Sequence, residues 1–98
     1  MAASFIVSGA TKYRINGVYT KTKHVCNGKP VYSKNGSVLF IPNGVKHWMI
    51  DYHTQFSCKN AGYISNEHNC AESPDNAFCA GNFIEKVTAL VRTTGVST

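Results

Sequence analysis

The first fifty residues contain seven basic side chains and no carboxylate: Lys12, Arg14, Lys21, Lys23, Lys29, Lys34 and Lys46. The remaining residues contain three basic groups against five acidic ones, so +7 and −2 make the net charge of +5. Cations gathered without counter-charges suit a surface that attracts polyanions. Lysines also keep strand edges soluble and unpaired, which is the plainer use of them. Tyr19 and Tyr32 lie among Lys21, Lys23, Lys29 and Lys34, and Trp48 follows. Aromatic rings interleaved with ammonium groups suit an acidic polysaccharide or a single-stranded nucleic acid. The candidate binding set is therefore Tyr19, Lys21, Lys23, Lys29, Tyr32, Lys34 and Trp48. Tyr19 and Tyr32 are expected to be exposed, whereas for Trp48 core packing is the stronger expectation.

Other chemistries find less support. Four Cys and four His are present, but no Cys-x-x-Cys occurs, and structural zinc usually takes its ligands in such close pairs. His53 and His68 lie near Cys58 and Cys70 in sequence, yet nothing marks an oxyanion hole or an orienting third group for a cysteine nucleophile. The acids Asp51, Glu67, Glu72, Asp75 and Glu85 cluster towards a loop-like region, which fits poorly with two carboxylates held across a cleft. Phosphate-binding glycine loops are absent. His24, His47, His53 and His68 read as ordinary surface residues. No catalytic group, metal or cofactor is expected.

Cys26, Cys58, Cys70 and Cys79 form an even count in a short, turn-rich chain, the pattern of a secreted domain with two disulfides. Three pairings are open. The turn-forming Pro74-Asp75 inside "AESPDNAF" favours Cys70–Cys79, which leaves Cys26 to meet Cys58. One glycosylation sequon occurs, Asn35-Gly36-Ser37. No apolar run approaches the roughly 18 residues of a membrane span. The opening "MAASFIVSGA" has no basic segment before its short apolar run, which implies either a module cut from a longer precursor or an intracellular protein, and the cysteine pattern favours the first.

The elements that must position these groups are announced by four Asn-Gly pairs, at residues 16–17, 27–28, 35–36 and 43–44. Asn and Gly both tolerate positive φ, and Asn-Gly between β-branched and aromatic residues is the strongest short-range hairpin signal. Four hairpin turns are therefore expected, separating "GVYTKTKHV", "KPVYS", "SVLFI" and "VKHWMIDY". "SVLFI" is apolar throughout, as in a central strand covered on both faces. Pro30 lacks an amide hydrogen, so its strand should begin there or lie at an edge. Around Trp48 the period of two places Trp48, Ile50 and Tyr52 on the core side, and His47, Met49 and Asp51 on the other. A short strand is expected at residues 62–65. Residues 82–92 suit a helix or a strand, and the strand is preferred because "SFIVS" near the N-terminus needs a partner. The chain should be one all-β domain over residues 1–92, an antiparallel meander forming a small sandwich or barrel, with residues 93–98 as a tail. "INGVYTK" and "CNGKPVYSK" are alike, though too short to define a repeat.

Asn16-Gly17-Val18-Tyr19, the run from Cys26 to Tyr32, Trp48, Gly62-Tyr63-Ile64 and the Cys70 to Cys79 loop resemble a small cysteine-containing module. Such modules occur in large extracellular and cell-surface proteins of algae, other single-celled eukaryotes and some marine animals. The resemblance covers roughly residues 4–85, with Phe83 standing where that module has Trp. It implies an extracellular setting without catalytic machinery. Together these readings give a non-catalytic binding or adhesion module for an anionic polysaccharide or an extracellular protein partner. A self-associating unit of a cell-surface coat or filament is the alternative, and a small hydrolase a more remote one. Disulfides and an extracellular setting weigh against nucleic acid.

Overall fold

A computed structural model describes residues 4–10, 13–51, 57–59, 64–66, 72–75, 83–84 and 90–93. It contains β1 (Ser4–Ser8), a short 3-10 helix (Tyr13–Ile15), β2 (Gly17–Cys26), β3 (Lys29–Lys34) and β4 (Ser37–Phe40). β5 (Met49–Asp51), β6 (Ile64–Asn66), β7 (Phe83–Ile84) and β8 (Leu90–Thr93) follow. All are antiparallel in a single sheet of order β7-β6-β5-β4-β3-β2-β1-β8. The all-β expectation holds.

This order makes the sheet curl. Eight flat strands would spread over roughly 34 Å at about 4.8 Å per neighbour. Ile84 and Leu90, on the two edge strands, are six residues apart in sequence, a link that spans at most about 22 Å. The Cα envelope of 29 × 26 × 26 Å agrees with a wrapped sheet. Strand β8 also gives β1 its second partner, with Phe5 opposite Thr93 and Val7 opposite Val91. The C-terminal segment is thus a strand where it is described, as the need of "SFIVS" for a partner implied.

Cross-strand register assembles the core inside the curl. Phe5 faces Tyr19, Val7 faces Val91, and Leu39 stands between Tyr32 and Ile50. With Ala10, Ile15, Ile41 and Trp48 these side chains form one buried cluster. Phe5 meets the Tyr32 ring edge-on at 4.7 Å and 78°, and Trp48 is tilted against Tyr32 at 6.2 Å. Such pairs add about 0.5–1.5 kcal/mol beyond the area they bury. Trp48 and Ile50 point inward as their spacing predicts, and Met49 and Asp51 fall on the opposite face with Phe40 and Val38.

That opposite face has a smaller cluster of its own: Cys26, Val31, Val38 and Phe40, with Cys58 packed against them. Cys26 and Cys58 form a disulfide, Cα atoms 5.7 Å apart and 32 residues apart in sequence. Every residue of β4 is consequently buried, as the unbroken apolar run required. Cys70 and Cys79 lie outside the described residues, as do Tyr52, His53, Tyr63, Glu67, His68 and Glu85.

The four Asn-Gly pairs do three different things, which corrects the expectation of four hairpin turns. Asn27-Gly28 is a two-residue hairpin loop with φ of 54° and 74°, the two positive values of a type I′ turn. Asn35-Gly36 also joins two paired strands, but only Gly36 has positive φ, at 85°. Asn43-Gly44 closes a turn by a Val45 N–H···O=C Pro42 bond of 3.1 Å, inside the longer connection from Phe40 to Met49. Asn16-Gly17 is no hairpin turn. The Asn16 side chain accepts from the Ala10 N–H at 2.9 Å and donates to the Ala10 carbonyl at 3.2 Å, acting as a strand partner. Gly17 opens β2 opposite Val7.

Candidate anion-binding surface

Strand β2 contributes most of the exposed chemistry because its register breaks. Lys21 pairs with Tyr32 and Val25 with Pro30, so Thr22, Lys23 and His24 together oppose Val31 alone. Two extra residues must bulge outward. Thr22 holds the bulge closed: its hydroxyl donates to the Val31 carbonyl at 2.7 Å and accepts from the His24 N–H at 3.1 Å. A side chain thereby replaces the missing ladder bond, and Lys21, Lys23, His24 and Val25 project into solvent.

At the Asn27-Gly28 end the chain is tied several times over. The Asn27 amide donates to the carbonyls of Ile41 at 2.8 Å and Pro42 at 2.5 Å, and the Asn43 N–H donates to Cys58 O at 2.8 Å. These bonds and the disulfide bring segments distant in sequence to one place. Lys29 stands opposite Cys26, Lys59 follows Cys58, Lys23 lies in the bulge just before Cys26, and Lys46 comes shortly after the Asn43-Gly44 turn. At the other end of β3, about 17 Å away by strand rise, Arg14 and Lys34 form a second basic point. The Lys34 Nζ donates to the Arg14 carbonyl at 2.6 Å. Its side chain crosses Gly17, where a Cβ would come within 2.8 Å of Lys34 Cε.

The charges differ sharply in their surroundings. Among the described residues, no carboxylate lies within ion-pairing distance of Arg14, Lys21, Lys23, Lys29, Lys34, Lys46 or Lys59. Two of the described acids are withdrawn from solvent: Asp51 is fully buried, and Asp75 is buried against Arg92 at 3.3 Å. Among the described residues exposed charge is thus mostly positive, with Glu72 the exposed acid, and it acts over about 8 Å in physiological salt.

The aromatic half of the candidate set is corrected. Tyr19 and Tyr32 are fully buried, not exposed, and Trp48 is buried with them, so none offers a stacking face. The phase of β2 explains this: Tyr19 lies before the bulge and opposite Phe5, which directs it into the core. Its hydroxyl donates to the Ile15 carbonyl at 2.6 Å. That bond uses its one hydrogen, so the Ser37 hydroxyl donates to the Tyr19 oxygen. Burial drives the Tyr19 pKa up to about 12, with the Ser37 bond pulling it down, and burial raises that of Tyr32. Lys21, Lys23, Lys29 and Lys34 remain on the surface or at its margin. Arg14 and Lys59 join them, through a carbonyl contact and a disulfide that local spacing does not announce. Lys59 could have been found only from the Cys26–Cys58 pairing.

Fold and surface together define a disulfide-bonded, curled antiparallel sheet with surface cations along β2 and β3. No protein-family model, curated protein or solved structure matches the chain. Among the described residues, no three His, Cys, Asp or Glu side chains gather as a metal site would require. No helix of the described residues is long and apolar enough to cross a membrane.

Proposed function

We propose that the chain is a non-catalytic module of an extracellular protein that binds an anionic polysaccharide through the cations of β2, β3 and the segment joined to them by Cys26–Cys58. The observation that carries this reading is the set of surface cations with no carboxylate in reach among the described residues, where Asp51 is buried and Asp75 is paired with Arg92. The disulfide supports an oxidising compartment. Burial of every described member of the aromatic set takes away the stacking platform that a single-stranded nucleic acid would use, and leaves charge as the means of recognition.

Retention on a heparin matrix tests the proposal. The wild-type chain should bind at low salt and elute as salt rises, because released counterions make such contacts steeply salt-dependent. Replacing Lys21, Lys23, Lys29 and Lys59 with Gln should move elution to clearly lower salt. Unchanged elution in a folded variant would sink the reading. One further observation favours self-association as a second reading. Ile6 and Val18 are directly opposite on the outer face and are 41% and 50% exposed. Concentration-dependent light scattering that is abolished by Val18→Lys would support it.

A further inference from the structure

The two ends of β3 are not equivalent. The lysines at the Asn27-Gly28 end are separate, solvated charges, whereas Arg14 and Lys34 share a concave site. A pocket of about 300 Å³ lies there, lined by Arg14, Lys34, Asn35, Gly36 and Ser37. We infer that this pocket is a subsite for one oxyanion, a sulfate ester or carboxylate borne on a sugar ring. The inference rests on the polysaccharide reading for the identity of the carrier, and on the pocket alone for the anion.

Four features carry it. The lining has two cations and no acid, a local excess of positive charge that an entering anion would balance. Lys34 is already placed, by its bond to the Arg14 carbonyl and by the chain crossing Gly17. Much of the entropy of ordering a lysine on binding is therefore met in the free protein. Its remaining N–H groups and the guanidinium fork of exposed Arg14 are the donors that sulfate and carboxylate oxygens accept from. Ser37 cannot add a donor because its hydroxyl hydrogen is committed to Tyr19. Size sets the carrier. The volume is at the lower limit for small-molecule sites and suits a charged group with part of one ring. No aromatic residue lines it, so a nucleobase would gain no stacking there.

The test is an amide NMR titration of the full chain, produced without N-glycan because Asn35 also heads the sequon. Probes are galactose 6-sulfate, glucuronate, inorganic sulfate and uncharged galactose. The Asn35, Gly36 and Ser37 amides and the Arg14 Nε–H should shift saturably with the sulfated sugar and with glucuronate, and not with galactose. Inorganic sulfate should produce the same shifts at lower affinity. Arg14→Gln and Lys34→Met should each weaken binding by about tenfold, the worth of one charge-assisted hydrogen bond. Lys34→Met keeps an unbranched chain over Gly17, so the fold is preserved. No shifts, equal shifts with galactose, or binding unaffected in both variants would overturn the subsite. Inorganic sulfate binding as tightly as the sulfated sugar would overturn the sugar assignment. Heparin retention, run alongside, separates the two proposals. Retention with a silent pocket removes the subsite alone, and a responsive pocket without retention removes the polysaccharide reading alone.

Discussion

Val31-Tyr32 of β3 and all of β4 are buried, and the two faces they cover are built by different means. Tyr32, Leu39 and Ile41 enter a cluster that has, among the described residues, eleven buried members with four large aromatic rings, Phe5, Tyr19, Tyr32 and Trp48. On the other side Val31, Val38 and Phe40 cluster, among the described residues, with the Cys26–Cys58 bridge. The inner face is sustained by area and shape, the outer face by a covalent link across 32 residues of sequence. The difference teaches that in a domain of this size one core takes the large side chains and a second small one needs a staple.

Each side of that comparison can be broken separately. Trp48→Ala should cost about 3–5 kcal/mol in chemical denaturation, as expected for a fully buried ring. Trp48→Phe should cost much less than Trp48→Ala, because the buried Nε1–H has no acceptor among the described residues and Phe removes it. Converting both Cys26 and Cys58 to Ala should cost about 3–4 kcal/mol, from the loop they close. Phe40→Ala should then be non-additive with that loss, whereas Leu39→Ala on the inner face should add to it. Equal coupling of Phe40 and Leu39 to the bridge would erase the distinction between the faces.

Alkaline titration probes the inner face. The folded Tyr19 pKa, about 12, lies above the ordinary value of 10, so the unfolded chain loses its phenolic proton first. The contribution is complete below pH 10 and is lost as pH rises from 10 towards 12, by roughly 2–3 kcal/mol. Tyr32 acts in the same direction. Stability measured between pH 9 and 12 should fall less steeply in Tyr19→Phe than in the wild type. The smallest effect belongs to the bulge. Thr22→Val removes the bond to the Val31 carbonyl and should cost about 1 kcal/mol. It should also broaden the amide signals of Lys23 and His24 while leaving those of the inner face sharp.

What could be read from the sequence follows from how local each cause is. The unbroken run Val38-Leu39-Phe40-Ile41 states outright that β4 is covered on both sides, and the alternation at Trp48-Met49-Ile50-Asp51 states which residues point inward. "GVYTKTKHV" is less frank. Its alternation fixes that Tyr19 and Val18 lie on opposite faces, but which face is inside depends on Phe5 and on a change of phase after Lys21. Within the binding set, the surface placement of Lys21, Lys23, Lys29 and Lys34 was legible because ammonium groups are costly to bury. The aromatic half was not, because the two Val-Tyr segments look equally suited to a surface and a core. Asn16-Gly17 was misread for a similar reason. Locally it matches Asn27-Gly28, and only the distant backbone of Ala10 gives it another task.

The same asparagines differ in how they will age. In an Asn-Gly pair the glycine nitrogen can attack the side-chain amide carbon, releasing ammonia to form a cyclic imide that hydrolyses to aspartate or isoaspartate. Asn16 and Asn27 have their amides clasped by the carbonyls of Ala10, Ile41 and Pro42, which hinders the rotation that attack requires. No hydrogen bond to a described residue holds the exposed Asn35 side chain, and Gly36 beside it has open space around its Cα. Stored protein should therefore convert first at Asn35 rather than at Asn16 or Asn27. The product carries a negative charge on the rim shared by Arg14 and Lys34, so peptide mapping of aged samples would reveal a pocket that slowly neutralises itself.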